Sequence, residues 1–211
     1  MKKIMFNDAC GLTAAAVAGA KTMTRRKVRC PRKVRGTETF GYNVHSDPAG
    51  GWREAVAADG EGADIEGGEI RPAWADGETV AVAQGYGAVC AERGGGPGAQ
   101  CPCEPYGLCP LAALRGTPGW NNKMFVGAGL MPHRVRITGV RLERLRDISD
   151  GDCLREGVRE SGGRFAFDGC GGTFGTAREA FAEMARMTMG RDVWERNPYV
   201  FAYGFEAEGA E

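Results

Sequence analysis

The run Gly19-Ala20-Lys21-Thr22-Met23-Thr24-Arg25-Arg26 packs an amine, two hydroxyls and two guanidiniums into one short stretch of chain. A lysine beside a threonine hydroxyl is a base and nucleophile pair when burial lowers the amine pKa. On a regular strand Lys21 and Thr24 face opposite sides, because their separation is odd. They converge only if Lys21 occupies a turn between a helix and the strand, which Gly19 permits. The alternative is a solvated lysine and a threonine selected for β-propensity. Glu156 is a second candidate, in the last turn of a short helix, where the dipole opposes an anion and raises a carboxyl pKa. A surface glutamate paired with Arg155 or Arg159 is the alternative there.

The elements that must position these groups follow from patterning. Asn7 or Asp8 caps a helix running to about Ala18, with Gly19 as its stop. Thr22 to Val28 reads as a strand. Gly36 to Arg71 shows little periodicity and is expected to be a long loop. After the Asp76-Gly77 turn comes a strand from Glu78 to Gln84, with Val80 and Val82 on one face. Cys90 to Pro110 is expected to be irregular. His133 to Leu145 is the clearest strand: Val135 and Ile137 share one parity, Val140 and Leu142 the other. A bulge at Gly139 keeps all four on the same face. Ser149 opens a helix through Glu156, and Gly157 ends it. Gly162 to Gly175 reads as a glycine-rich loop. Thr176 and Glu179 form a capping box for a helix whose Ala180, Phe181, Met184 and Ala185 share a face. Tyr199, Phe201, Tyr203 and Phe205 then alternate along a last strand. The order implies an α+β protein: a small mixed or antiparallel barrel flanked by helices. We expect one domain over residues 1–211, with insertions at about 36–73 and 90–118.

The formal net charge is zero, yet the charges are unevenly spread. Up to Arg35 the basic residues Lys2, Lys3, Lys21, Arg25, Arg26, Lys27, Arg29, Arg32, Lys33 and Arg35 stand against Asp8 alone. An acidic run, Asp59, Glu61, Asp64, Glu66 and Glu69, follows. This is either a polyanion-facing patch partly neutralised by the rest of the chain, or two segments that pair on a solvated surface. No segment is apolar for long enough to span a membrane. The Ala-rich run Leu12 to Ala20 is a poor signal peptide, so a cytoplasmic protein with reduced thiols is expected.

Four pieces carry a resemblance: "GAKTMTRR", "DGETVAVAQGY", "WNNKMFVGAGLMPHRVRITGVRLERLRDISDGDCLREGV" and "WERNPYVFAYGFE". Together they cover roughly half the chain, in order, and resemble the ASCH domain, more narrowly its phage- and bacteroidete-associated branch. The resemblance implies a PUA-like barrel with a cleft that receives RNA, a nucleoside or a nucleotide. It also implies a relation to N(4)-acetylcytidine amidohydrolases, whose lysine, threonine and glutamate fall here on Lys21, Thr24 and Glu156. Thr24 would attack the acetyl carbonyl, Lys21 would act as base, and Glu156 as proton donor or orienter.

Binding without turnover is the leading expectation, and amide hydrolysis the alternative. Arg25 and Arg26 suit phosphate at the mouth of the cleft. Gln84 and Tyr86 offer an amide and a ring to read and stack a base, although Tyr86 equally fills the end of a barrel. Lys123 and Arg134 are further phosphate candidates, with plain surface charge as the alternative. Cys90, Cys101, Cys103 and Cys109 supply enough thiols for a closed zinc site, or else sit as reduced thiols in a loop. His45 and His133 are the only histidines, so no cofactor is expected and hydrolysis is expected to be metal-free.

Overall fold

A computed structural model describes residues 1–49, 53–94 and 111–208. The chain opens with β1 (Lys3–Ile4), α1 (Leu12–Val17) and β2 (Met23–Lys27). Short strands follow: β3 (Lys33–Val34), β4 (Thr37–Glu38), β5 (Gly41–Ser46), β6 (Arg53–Ala58) and β7 (Asp64–Glu69). Then come β8 (Thr79–Val82), α2 (Tyr86–Glu92), several single 3-10 turns, β9 (Arg134–Arg144) and α3 (Asp150–Arg155). The chain continues through β10 (Arg159–Ser161), β11 (Arg164–Phe167), β12 (Cys170–Phe174), α4 (Ala177–Met189), α5 (Val193–Arg196) and β13 (Tyr199–Glu208). The fold is mixed α+β. None of the described helices is long and apolar enough to cross a membrane.

The main sheet has the order β1-β8-β9-β13-β2, with β1 parallel to β8 and the other pairs antiparallel. It is open, which corrects the closed barrel expected from the sequence. β1 is only two residues long and, among the described residues, pairs only with β8, so it carries no ladder to β2. The Arg26 guanidinium spans the seam instead, donating from Nη2 to the Met5 carbonyl just after β1.

β13 is buried on both faces, through Val200, Phe201, Ala202, Tyr203 and Phe205. The expected bulge lies in its partner: Gly204 faces Gly139 while Phe205 faces Ile137, leaving Thr138 over. That extra residue turns Val135, Ile137 and Leu142 to the core despite their change of parity. α4 packs its Ala180, Phe181, Met184 and Ala185 face into the same core, behind the expected Thr176–Glu179 capping box.

Three segments differ from expectation. α1 is shorter, because Gly11 holds a left-handed backbone (φ 63°) against Asp168 and the helix starts only after it. Residues 36–71 are largely β-structure: a β3–β4 hairpin and a β5-β6-β7 antiparallel sheet. Their buried face is made of Ala55, Ala57 and Ala58, too small to register as an apolar period. Residues 162–175 likewise form most of the β10-β11-β12 sheet, where Phe165 pairs with Phe174 across the glycines.

Candidate functional site

Lys21 sits in the turn between α1 and β2, with its backbone N–H on the Ala15 carbonyl at 2.9 Å. This is the turn position that the sequence sets as the condition for Lys21 to converge with Thr24. Its ammonium donates to Glu156 Oε2 at 2.6 Å and to the Glu156 carbonyl at 2.7 Å. Glu156 caps the C-terminal end of α3. The lysine therefore neutralises a carboxylate and satisfies a carbonyl left open by the helix terminus. Both residues are almost entirely occluded, 1% and 2% exposed.

Arg25 enters the same cluster from β2. Its Nη1 donates to Glu156 Oε1 at 3.1 Å and to Met23 Sδ at 3.2 Å. Its Nε and Nη2 fork onto Glu143 Oε1 at 2.9 and 2.6 Å, and Nη2 also reaches Asp152 Oδ2 at 3.0 Å. All three nitrogens are committed. Arg141, on the outer side, bonds Asp152 at 2.8 Å and Glu143 at 3.3 Å. Burial pushes the Lys21 amine pKa down, with the Glu156 charge and hydrogen bond opposing that shift. The paired carboxylates push Arg25 up against its own desolvation.

Thr24 is buried (5% exposed) and stands opposite Tyr203 in the β2–β13 register. Its hydroxyl makes no hydrogen bond among the described residues, to Lys21 or to Glu156. The structure thus joins Lys21 to Glu156 and adds Arg25, while Thr24 stays outside the bonded set. As it stands, the cluster is a closed arrangement of ion pairs. Reaching Lys21 with a substrate requires it to open.

The open seam of the main sheet forms a cleft of about 490 Å³. Among the described residues that line it, six are cationic, namely Lys3, Arg25, Arg26, Lys27, Arg29 and Arg71, and none is acidic. Trp74, Phe201 and Tyr203 supply aromatic wall. Arg26 is half-buried, its guanidinium carbon 5.9 Å from the ring centroids of Phe6 and Trp74. Its Nε is buried without a hydrogen-bond partner. Burial and the neighbouring Arg29 charge lower the Arg26 pKa, and burial raises that of the Tyr203 phenol. Arg29, Arg71 and Trp74 were not singled out from the sequence. The basic run was a signal for Arg29, but only the fold brings Arg71 and Trp74 beside it.

The remaining candidates lie elsewhere. Gln84 donates from Nε2 to Glu92 Oε1, leaving its own Oε1 buried and unpartnered. Tyr86 is the first residue of α2. Its ring packs in a second apolar cluster and its hydroxyl accepts from the Gly127 N–H at 2.7 Å. The Lys123 ammonium is held by the Phe6 carbonyl, by Asp8 at 2.7 Å and by Thr13 at 3.2 Å. Arg134 begins β9 opposite Glu208. None of these four lines the cleft.

Among the cysteines, Cys90 is buried in α2, whereas Cys101, Cys103 and Cys109 lie outside the described residues. No group of three or more potential metal ligands occurs among the described residues. Cys30 and Cys153 are free thiols, and burial pushes Cys153 up to about 12. Cys10 is disulfide-bonded, which corrects the expectation of reduced thiols for that residue.

Comparison with protein families, with curated proteins and with solved structures finds no match to this chain in any of the three.

Proposed function

We propose that the protein binds RNA or a nucleotide through the basic cleft at the seam between β1 and β2. The observation that carries this reading is a cleft lined, among the described residues, by six cationic residues and no carboxylate. Arg25 is already paired with Glu143, Asp152 and Glu156, but the other five make no ion pair among the described residues, so an external anion is attracted to them. The four sequence pieces that resemble ASCH domains point to the same class of ligand, in a PUA-like fold working in the cytoplasm.

The test is fluorescence anisotropy of a short single-stranded RNA titrated with the protein at rising salt. Affinity should fall log-linearly, with a slope of roughly 0.7 for each phosphate neutralised. Binding that is absent at low salt sinks the proposal.

A second reading, metal-free hydrolysis of N(4)-acetylcytidine-type amides, draws on one observation. Lys21 is buried against Glu156 with a lowered pKa, as a general base requires. On this reading ligand binding brings the Thr24 hydroxyl to Lys21. Lys21, in its neutral form, takes the Thr24 proton as the hydroxyl attacks the acetyl carbonyl and passes it to Glu156, which gives it to the leaving amine as the C–N bond breaks. Water then hydrolyses the acetyl-threonine ester to release acetate. Release of cytidine, lost in both Lys21→Ala and Thr24→Ala, would establish it.

A further inference from the structure

The cations of the cleft are not equivalent. Arg25 lines it, yet all three of its guanidinium nitrogens are taken by Met23, Glu143, Asp152 and Glu156. The Lys3 ammonium is held by the carbonyls of Lys123, Met124 and Val126, and that of Lys27 by Met189 at 2.8 Å. Arg26 has spent one nitrogen on the Met5 carbonyl. Arg29 and Arg71 remain, exposed at the rim, with no hydrogen bond or ion pair among the described residues.

Two uncommitted guanidiniums on one cleft, with a third at its floor, form a particular kind of anion receptor. Each guanidinium is a planar fork that takes two oxygens of one anion. An internal phosphodiester offers two non-bridging oxygens and a single charge. A phosphomonoester offers three terminal oxygens and a charge approaching −2 at neutral pH, enough to engage two forks together. The size agrees: about 490 Å³ lies in the range of pockets that enclose one small ligand. Arg26 and Arg29 also stand close enough for their charges to repel, and the cleft lining holds no carboxylate among the described residues to relieve them.

Resting on the nucleic-acid reading above, we infer that the cleft selects a phosphomonoester, carried by a mononucleotide or by a phosphorylated RNA end. Arg29 and Arg71 clamp the terminal phosphate and Arg26 lies beneath it. Phosphate recognition, expected at Arg25 and Arg26, thus moves to residues whose charge is free.

The experiment uses the full chain and one short single-stranded RNA in two forms, 5′-phosphorylated and 5′-hydroxyl, each labelled at the 3′ end. The phosphorylated form should bind about tenfold tighter, as one or two additional charge-assisted hydrogen bonds imply. In Arg29→Gln and Arg71→Gln the preference should shrink to about twofold or less, with an unchanged circular dichroism spectrum. Arg164→Gln, exposed on the separate β10-β11-β12 sheet and not part of the cleft lining, should retain it. Adenosine monophosphate as competitor, with adenosine as its control, separates the two sources. Competition by the monophosphate identifies a mononucleotide-sized ligand, and failure to compete beside a tenfold end preference identifies the strand end. Equal affinity for both RNA forms, with adenosine monophosphate inert, overturns the inference and leaves the binding proposal standing. No binding of either form removes both.

Discussion

Arg25 and Arg26 are neighbours on β2, yet they live in different electrostatic worlds. Strand alternation turns Arg25 toward Glu143, Asp152 and Glu156, and turns Arg26 toward the Phe6 and Trp74 rings. In the first region Lys21 and Arg25 have their carboxylates and almost no water. In the second, cations crowd a cleft whose lining holds no acid among the described residues. A run of basic residues is therefore not one feature. The sheet divides it into a half paired with buried carboxylates and a half that lines an open cleft.

The contrast breaks most sharply at Glu156. Replacing it by Ala leaves Lys21 and Arg25 buried without their shared carboxylate. Removing one member of a buried pair costs about 3–5 kcal/mol, so urea denaturation should show a loss of that order. A midpoint close to the native one would mean that the cluster carries little of the fold.

The cleft should respond in the opposite way. Arg29→Glu combined with Arg71→Glu places anions where the ligand phosphate belongs. RNA affinity should drop on the order of a hundredfold, while the denaturation midpoint barely moves, as for other surface substitutions. A fall in stability matching that of Glu156→Ala would erase the distinction between the regions.

A smaller effect concerns pH. Because burial lowers the Lys21 pKa in the folded state, the unfolded chain binds more protons between that value and the ordinary lysine value near ~10.4. The cost of protonating Lys21 in place is complete below the folded pKa and vanishes above the unfolded one. The stability of the native protein relative to Lys21→Met should therefore rise as pH climbs from neutral toward 10. A flat difference would show that Glu156 fully offsets the desolvation. The smallest change is expected from Arg26→Lys, which keeps the charge but loses the fork and its stacking on Trp74. Affinity for the phosphorylated RNA should weaken about threefold.

What was legible in the sequence was whatever a local period or cap could encode. The parity switch between Ile137 and Val140 announced the bulge in β9, and Thr176 with Glu179 announced α4. Glycines misled twice, at 36–71 and at 162–175, because strands with small buried residues show no apolar alternation. Lys21 and Glu156 were singled out by position in a turn and at a helix end, and by the resemblance. Their partnership with Arg25 was not visible, since Arg25 and Glu143 are 118 residues apart. Arg71 and Trp74 carry no local mark of the cleft. Only the packing of the 70–75 segment against β2 and β13 brings them to it.

The place of β13 in the sheet also sets the order in which the molecule can be built. It lies between β9 and β2 and pairs with both, although the ribosome makes it after every other strand of that sheet. Until it emerges, β2 has no neighbour and β9 shows one bare edge. The Arg25 side chain then has no sheet to hold it against Glu143. The nascent chain must keep these edges apart from other chains throughout most of its synthesis. Its last ten strand residues complete the core and the ion-pair cluster in one step.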